Sequence, residues 1–232
     1  SLANRYPGHE SASLDESIVS MEPSARGRGR SSLCSQAMND AYVESPSVAK
    51  PVSAWGDCDL WNHEYAVARA IPSSHRGQPS RALRWLSAST PFAAGGLVLD
   101  AGAGAGRNAV YCAQQGMTVH AVDASAVACS ALGKRVGETG LGNIHVENGT
   151  IPRSGQIDRH YDLIIDSYVS CHLLDLDDQL AYLEGLVRQL RPGGSLLTIG
   201  MSYNDAYYSR NKNYAHQGSY VATDPLNGIS KL

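Results

Sequence analysis

The sequence predicts an α/β protein built on a doubly wound, mostly parallel sheet, and three observations carry that expectation. From Gly96 onward, short apolar runs alternate with segments of helical periodicity, an order that calls for parallel strands joined by right-handed crossovers. The run Leu97 to Leu99 leads into glycines at alternate positions, Gly102, Gly104 and Gly106, and then into a helix opening at Arg107. Gly116 and Gly140 stand where helix C-caps belong, and Arg191-Pro192-Gly193-Gly194 turns the last helix of the pattern into its last strand.

Taken in order, residues 1–51 are rich in Ser, Gly and Pro and poor in large apolar side chains, so they are expected to remain a flexible tail with a short helix around Gln36 to Glu44. Arg26, Arg28 and Arg30 alternate there with glycines, which reads as a solvated linker or as a contact for RNA or an acidic surface. Residues 52–95 are expected to form a helical cap. Trp61, Tyr65, Ala68 and Ile71 fall at helical spacing before Pro72. Ser80 can cap a second helix whose apolar face is Ala82, Leu83, Trp85 and Leu86. Residues 96–201 form the expected core, with strands at Leu97 to Leu99, Met117 to Val122, Ile144 to Val146, Leu163 to Ile165 and Ser195 to Met201. Helices are expected at Arg107 to Gln115, Ser125 to Thr139 and Leu176 to Leu190.

Composition narrows the function. With 232 residues, 43% hydrophobic and 18% charged, the chain reads as one globular core with attachments. A net charge of −3 supplies no field for phosphate backbones, so nucleic acid is not an expected partner. The five cysteines form no CxxC pair and are odd in number, which points to reduced thiols and a cytoplasmic setting. No apolar run approaches the ~20 residues of a membrane span, and no signal-peptide pattern opens the chain. Because the chain begins at Ser1, a trimmed or partial product is expected.

The glycine turn is the centre of the functional reading. Alternate glycines allow a sharp turn and close approach of a ligand, and the helix beyond offers unpaired amides and a partial positive charge. A dinucleotide fingerprint places its third glycine where this chain has Arg107, and Asp100 before the turn would repel a pyrophosphate. An acid there suits a positively charged ligand. S-Adenosylmethionine, with its sulfonium and ammonium beside an uncharged ribose, fits. Asp123, 23 residues after Asp100, ends the second strand, where a carboxylate can accept both ribose hydroxyls or else cap the helix before Ser125.

The run Val98-Leu99-Asp100-Ala101-Gly102-Ala103-Gly104-Ala105-Gly106-Arg107-Asn108 resembles motif I of the class I S-adenosylmethionine-dependent methyltransferases. Tyr111, Ala113, Gly116, Val119, Ala121, Asp123 and Ser125 continue it in a manner similar to the tellurite-resistance and related small-molecule branch, although Ala103 and Ala105 replace the Cys and Asn common there. Tyr161 to Asp166 resembles the superfamily's fourth strand and Arg191 to Leu196 its turn into the fifth. The resemblance covers about Trp61 to Met201 and implies a Rossmann-like methyltransferase fold. It implies cofactor contacts from Asp100, Ala101, Gly102, Gly104, Arg107 and Asn108 on the turn, and from Asp123, Ala124 and Ser125 after the second strand. Gly149, Thr150 and Ile151 are placed beside the adenine, with Asn148 where the superfamily often carries an acid. Asp166 and Ser167 end the fourth strand near the methyl group. The segment Ile71 to Arg76 is either a surface turn or a cover in which Arg76 pairs with the cofactor carboxylate and Tyr65 flanks the methyl donor.

The expected reaction is in-line transfer of a methyl group to an O, N or S atom of a small molecule. His172 is a candidate proton acceptor or a histidine holding a loop carbonyl, and Tyr168 is a second catalytic candidate. Tyr168, Cys171 and His172 are expected to meet the substrate, together with Tyr203, Tyr207 and Tyr208. The last three belong to a tyrosine-rich stretch, residues 202–232, that reads as a lid, a loop packed on its own domain, or a truncated segment. The superfamily adds a helix and two strands after the fifth, so either the chain is cut short or a second copy in a homodimer completes the sheet. Asp166-Ser167-Tyr168-Val169 lacks the prolines of amide and base-nitrogen methylases. No Asp and Asn cluster has metal spacing, so no metal is expected. The alternatives are a nicotinamide-dependent oxidoreductase and a non-catalytic cofactor-binding module.

Overall fold

A computed structural model describes residues 16–20, 58–151, 160–201, 215–217, 221–223 and 229–231. The strands are β1 (Glu16–Ser20), β2 (Leu97–Ala101), β3 (Thr118–Asp123), β4 (Ile144–Asn148), β5 (Tyr161–Ser167) and β6 (Leu190–Met201). The helices are α1 (Cys58–His63), α2 (Arg81–Ser89), α3 (Arg107–Gln114), α4 (Ala126–Thr139) and α5 (Leu176–Arg188). The six strands form one sheet in the order β1-β6-β5-β2-β3-β4. β2 to β6 run parallel, and β1 lies antiparallel on β6, Ile18 opposite Ile199. The parallel strands start in the middle with β2, build outward through β3 and β4, then cross back to lay β5 on the other side of β2. That reversal opens a crevice at the carboxyl ends of the strands, the usual ligand position in such sheets.

Strand side chains alternate between two buried faces, which is why the strands read as continuous apolar runs. On one face Val98, Val119, Ala121, Leu163, Ile165 and Ile199 pack against Leu83 of α2, Ala109, Val110 and Ala113 of α3 and Leu132 of α4. On the other, Leu99, Val122, Ile164 and Leu196 pack with Tyr182 and Leu186 of α5. Local chemistry sets the helix ends. The Ser80 and Ser125 hydroxyls accept the Leu83 and Ala128 amides, Asp175 accepts those of Asp177 and Asp178, and Gly140 closes α4 at a φ of 67°.

Three expectations need correction. Within the expected tail 1–51, Glu16–Ser20 is a strand on the sheet edge; its Ile18-Val19 pair suits that role, although its surroundings are polar. The first helix changes pitch, with a π turn at Glu64–Ala68 and a 3₁₀ turn at Pro72–His75 replacing the single α-helix read from its periodicity. In residues 202–232, Ala215–Gln217, Val221–Thr223 and Ser230–Lys231 form a separate antiparallel sheet, β7-β8-β9. Strands of two or three residues are too short to show a period of two. The helix expected at Gln36 to Glu44 and the tyrosines Tyr203, Tyr207, Tyr208, Tyr214 and Tyr220 lie outside the described residues.

Candidate functional site

The glycine turn is held against the next strand by its own backbone. The Gly102 and Ala103 amides donate to the Val122 carbonyl at 2.9 and 3.0 Å, and the Gly104 amide donates to Asp123 Oδ2 at 2.7 Å. Gly104 sits at a φ of 56°, and a Cβ there would collide with the Tyr65 hydroxyl, so both backbone conformation and close packing demand glycine. A Cβ at Gly102 would strike Val169 in the same way, and one at Gly106 would strike Leu132.

Asp123 is fastened on two sides. Its Oδ1 accepts the Ser125 amide at 2.8 Å while Oδ2 holds Gly104, so this carboxylate fixes the turn, and the capping of α4 falls to Ser125. Each oxygen keeps a further lone pair for a donor arriving from the cavity. Burial raises its pKa, against the pull of the two amides. Asp100, wholly buried behind the turn, is pushed up to about 7 by desolvation, with Arg107 and the Ala109 amide opposing.

The N-terminal cap reaches the cavity through a residue that no motif marks. Glu64 is fully buried and accepts the amides of Ile71 at 2.8 Å and Ala70 at 3.1 Å, with His75 Nε2 3.0 Å away. With Arg69 in the left-handed region at a φ of 48°, these bonds fold residues 69–75 back against Glu64. The fold brings Ser73, Ser74 and Tyr65 to the cavity. Desolvation, reinforced by the Asp123 charge, holds the Tyr65 phenol protonated. Asn62 Oδ1 accepts the Ser125 hydroxyl at 2.8 Å, tying α1 to the start of α4.

At the end of β5, Asp166 Oδ1 accepts the amides of Val169 and Ser170 at 3.1 and 3.2 Å and shapes the turn. Tyr168 holds a φ of 66°, uncommon for a bulky side chain, and Arg107 lies 5.9 Å over its ring while donating to Ser167 Oγ at 3.1 Å. The His172 ring stands edge-on to Trp61 at 4.9 Å and 87°.

These parts line one open cavity. Of the residues expected to meet cofactor or substrate, Tyr65, Arg76, Gly102, Gly104, Arg107, Asn108, Asp123, Ala124, Gly149, Thr150, Ile151, Ser167, Tyr168 and His172 line it. Asp100, Ala101, Ser125, Asp166 and Cys171 do not; they are buried behind the wall they support. Asn148 also departs from expectation, because its amide nitrogen donates to the Asp123 and Ala124 carbonyls at 3.0 Å each rather than facing the cavity. Asn108 has a second task, accepting the Ser80 amide at 3.0 Å to join α2 and α3. Trp61, Val122, Val169 and Leu173 line the cavity unforeseen. Trp61 lies one helical turn before Tyr65, a signal that was available.

Comparison with known proteins gives this site its class. Residues 98–194 match a methyltransferase domain family. A 2-heptyl-1-hydroxyquinolin-4(1H)-one methyltransferase of Mycobacteroides abscessus is 30% identical over 104 residues, 45% of each chain. A solved structure concerned with conversion of a disulfide bond into a thioacetal group during echinomycin biosynthesis is 28% identical, covers 60% of this chain and 58% of that one, and superposes with a TM-score of 0.50. An S-adenosylmethionine-dependent methyltransferase from Aquifex aeolicus is 24% identical with a TM-score of 0.43, covering 49% of this chain and 61% of that one. The chain thus spans about half the length of the curated relative it matches. Residues 98–194, which hold the glycine turn and Asp123, are thus similar to a methyltransferase domain. The likeness is to the class, without singling out the tellurite-resistance branch.

Proposed function

We propose that the chain methylates an oxygen atom of a planar aromatic small molecule. The observation that carries this reading is the aromatic wall of the cavity: Trp61, Tyr65, Tyr168 and His172 stand among the same lining as the glycine turn and Asp123. Flat rings offer stacking and edge-to-face contacts to a flat acceptor.

The residues present fit the cofactor. Asp123 supplies acceptor lone pairs at the end of β3, the glycine turn leaves room that any Cβ would close, and Arg107 and Arg76 provide cations for a carboxylate. Bound there, the cofactor would supply a methyl group from its sulfonium: the acceptor oxygen would bond to the methyl carbon as the carbon–sulfur bond breaks, and S-adenosylhomocysteine would leave. The protein's task is to align the acceptor and exclude water. An oxygen acceptor must lose its proton, and His172, held against Trp61 on the cavity wall, takes it. The relative named for a 1-hydroxyquinolinone supports a hydroxylated heteroaromatic acceptor.

The test is formation of S-adenosylhomocysteine by the full chain with a panel of hydroxylated heteroaromatics, aliphatic thiols and aliphatic amines. Turnover confined to the hydroxylated aromatics is expected, and a His172→Ala variant should lose about 100-fold or more in kcat with the less acidic hydroxyls. Turnover with aliphatic amines or thiols alone rejects the reading. Cofactor binding without turnover on any acceptor favours the non-catalytic module.

A further inference from the structure

Away from the cavity mouth, the outer edge of the sheet gathers three side chains that the methyl-transfer reading leaves unused. His120 lies on β3, and His145 and Glu147 lie two residues apart on the edge strand β4. His120 pairs in register with His145, and Val122 with Glu147, so all three side chains project from one face. The two imidazoles stand 5.4 Å apart at 36°, and His120 Nε2 lies 2.8 Å from Glu147 Oε2. One donor atom from each of the three residues falls within 4.8 Å of the others.

We propose that His120, His145 and Glu147 form a binding site for a divalent transition cation of the zinc type. Two ligand atoms about 2.0 to 2.1 Å from a tetrahedral ion are separated by about 3.4 Å. The 2.8 Å pair is already inside that spacing, and the 4.8 Å limit needs only a small inward turn of His145 and Glu147, both exposed. Two imidazoles and one carboxylate suit zinc, nickel or copper and leave magnesium and calcium, which take oxygen ligands, poorly served.

The backing of the cluster can serve an ion as well as a His-Glu hydrogen bond. The buried Tyr161 hydroxyl lies 2.7 Å from His120 Nδ1. Without an ion, Nε2–H donates to Glu147 and Nδ1 accepts from the hydroxyl; when a cation takes the place of the Nε2 proton, the same hydroxyl can turn to accept from Nδ1–H, the outer support that metal-bound histidines ordinarily have. A His-Glu pair alone has no use for a second imidazole at the same point. Three protein ligands also leave a fourth position for water.

The location gives the site a consequence. Glu147 Oε1 lies 3.5 Å from where a Cβ on Gly149 would stand, and Gly149 to Ile151 line the cofactor cavity. An ion joining β3 to β4 therefore braces the strand that carries this wall. No sequence spacing announces the site, because His120 and His145 are 25 residues apart and meet only through strand pairing.

The experiment is titration of the full, tag-free chain with zinc in competition with a chromophoric chelator, with far-UV circular dichroism confirming that each variant is folded. One equivalent of zinc is expected to bind. His145→Ala and Glu147→Gln, both at exposed positions, should each weaken it about ten-fold or more, and Tyr161→Phe should weaken it by a smaller factor. Calcium in excess should not compete. The proposal is overturned if the wild-type chain takes up no stoichiometric zinc, or if zinc binds equally well to the folded His145→Ala and Glu147→Gln variants.

Discussion

Asp123 shows how one side chain serves structure and ligand together. Its oxygens hold the amides of Gly104 and Ser125, and the residue lines the cavity with acceptor capacity to spare. Asp123→Ala should weaken S-adenosylmethionine binding by about 1 to 3 kcal/mol in a folded protein, the scale of a hydrogen bond to a charged group. Unchanged affinity by calorimetry would restrict the carboxylate to fixing the turn. Asp100 acts through protons instead. Its pKa, about 7 in the folded state against an ordinary 3.8, means the native protein holds this proton more tightly than the unfolded chain. The resulting stability is complete below about pH 4 and is lost as pH rises through 7. Asp100→Asn should therefore flatten the pH dependence, removing roughly 2 to 3 kcal/mol from the stability difference between about pH 5 and pH 8. Urea unfolding at the two pH values decides it; an unchanged difference would show that this carboxyl titrates normally.

Among the elements, the glycine turn and the N-terminal cap both line the cavity, and they meet where Gly104 packs on Tyr65. Gly104→Val should abolish cofactor binding while leaving a soluble protein, because a β-branched side chain is strained at that φ and drives into Tyr65. Normal affinity in that variant would remove the turn from the site. Glu64→Ala should cost about 1 to 3 kcal/mol of stability by leaving the Ala70 and Ile71 amides unpaired. Hydrogen exchange should then speed up at those two amides first, and exchange as slow as in the wild type contradicts the role given to Glu64. The contrast between these two elements also shows what a sequence reveals. Alternate glycines after an apolar run announce themselves, because the chemistry and its spacing lie within one short segment. Glu64 is a single acid in a helix-like stretch, and its partners appear only when the chain folds back. The same limit explains Asn148, whose amide reaches two carbonyls of the neighbouring strand end. It explains Asp100 and Asp166 too, since strand position placed them at the sheet's ligand edge but could not tell lining from backing.

At the scale of the molecule, the strand order places the crevice. Because β5 returns beside β2 after β3 and β4 have built outward, the loops following β2, β3, β4 and β5 converge on one cavity. The N-terminal cap closes its side with Trp61, Tyr65 and the 71–76 segment. None of the described helices is long and apolar enough to cross a membrane. The central claim is that this cavity holds S-adenosylmethionine on the glycine turn and Asp123, and isothermal titration of the full chain tests it most directly. Saturable one-to-one binding of S-adenosylmethionine and S-adenosylhomocysteine, no binding of NADH, and loss of both favourable signals in Gly104→Val are the expected results. A folded wild-type chain that binds NADH, or that binds neither cofactor form, would contradict the account.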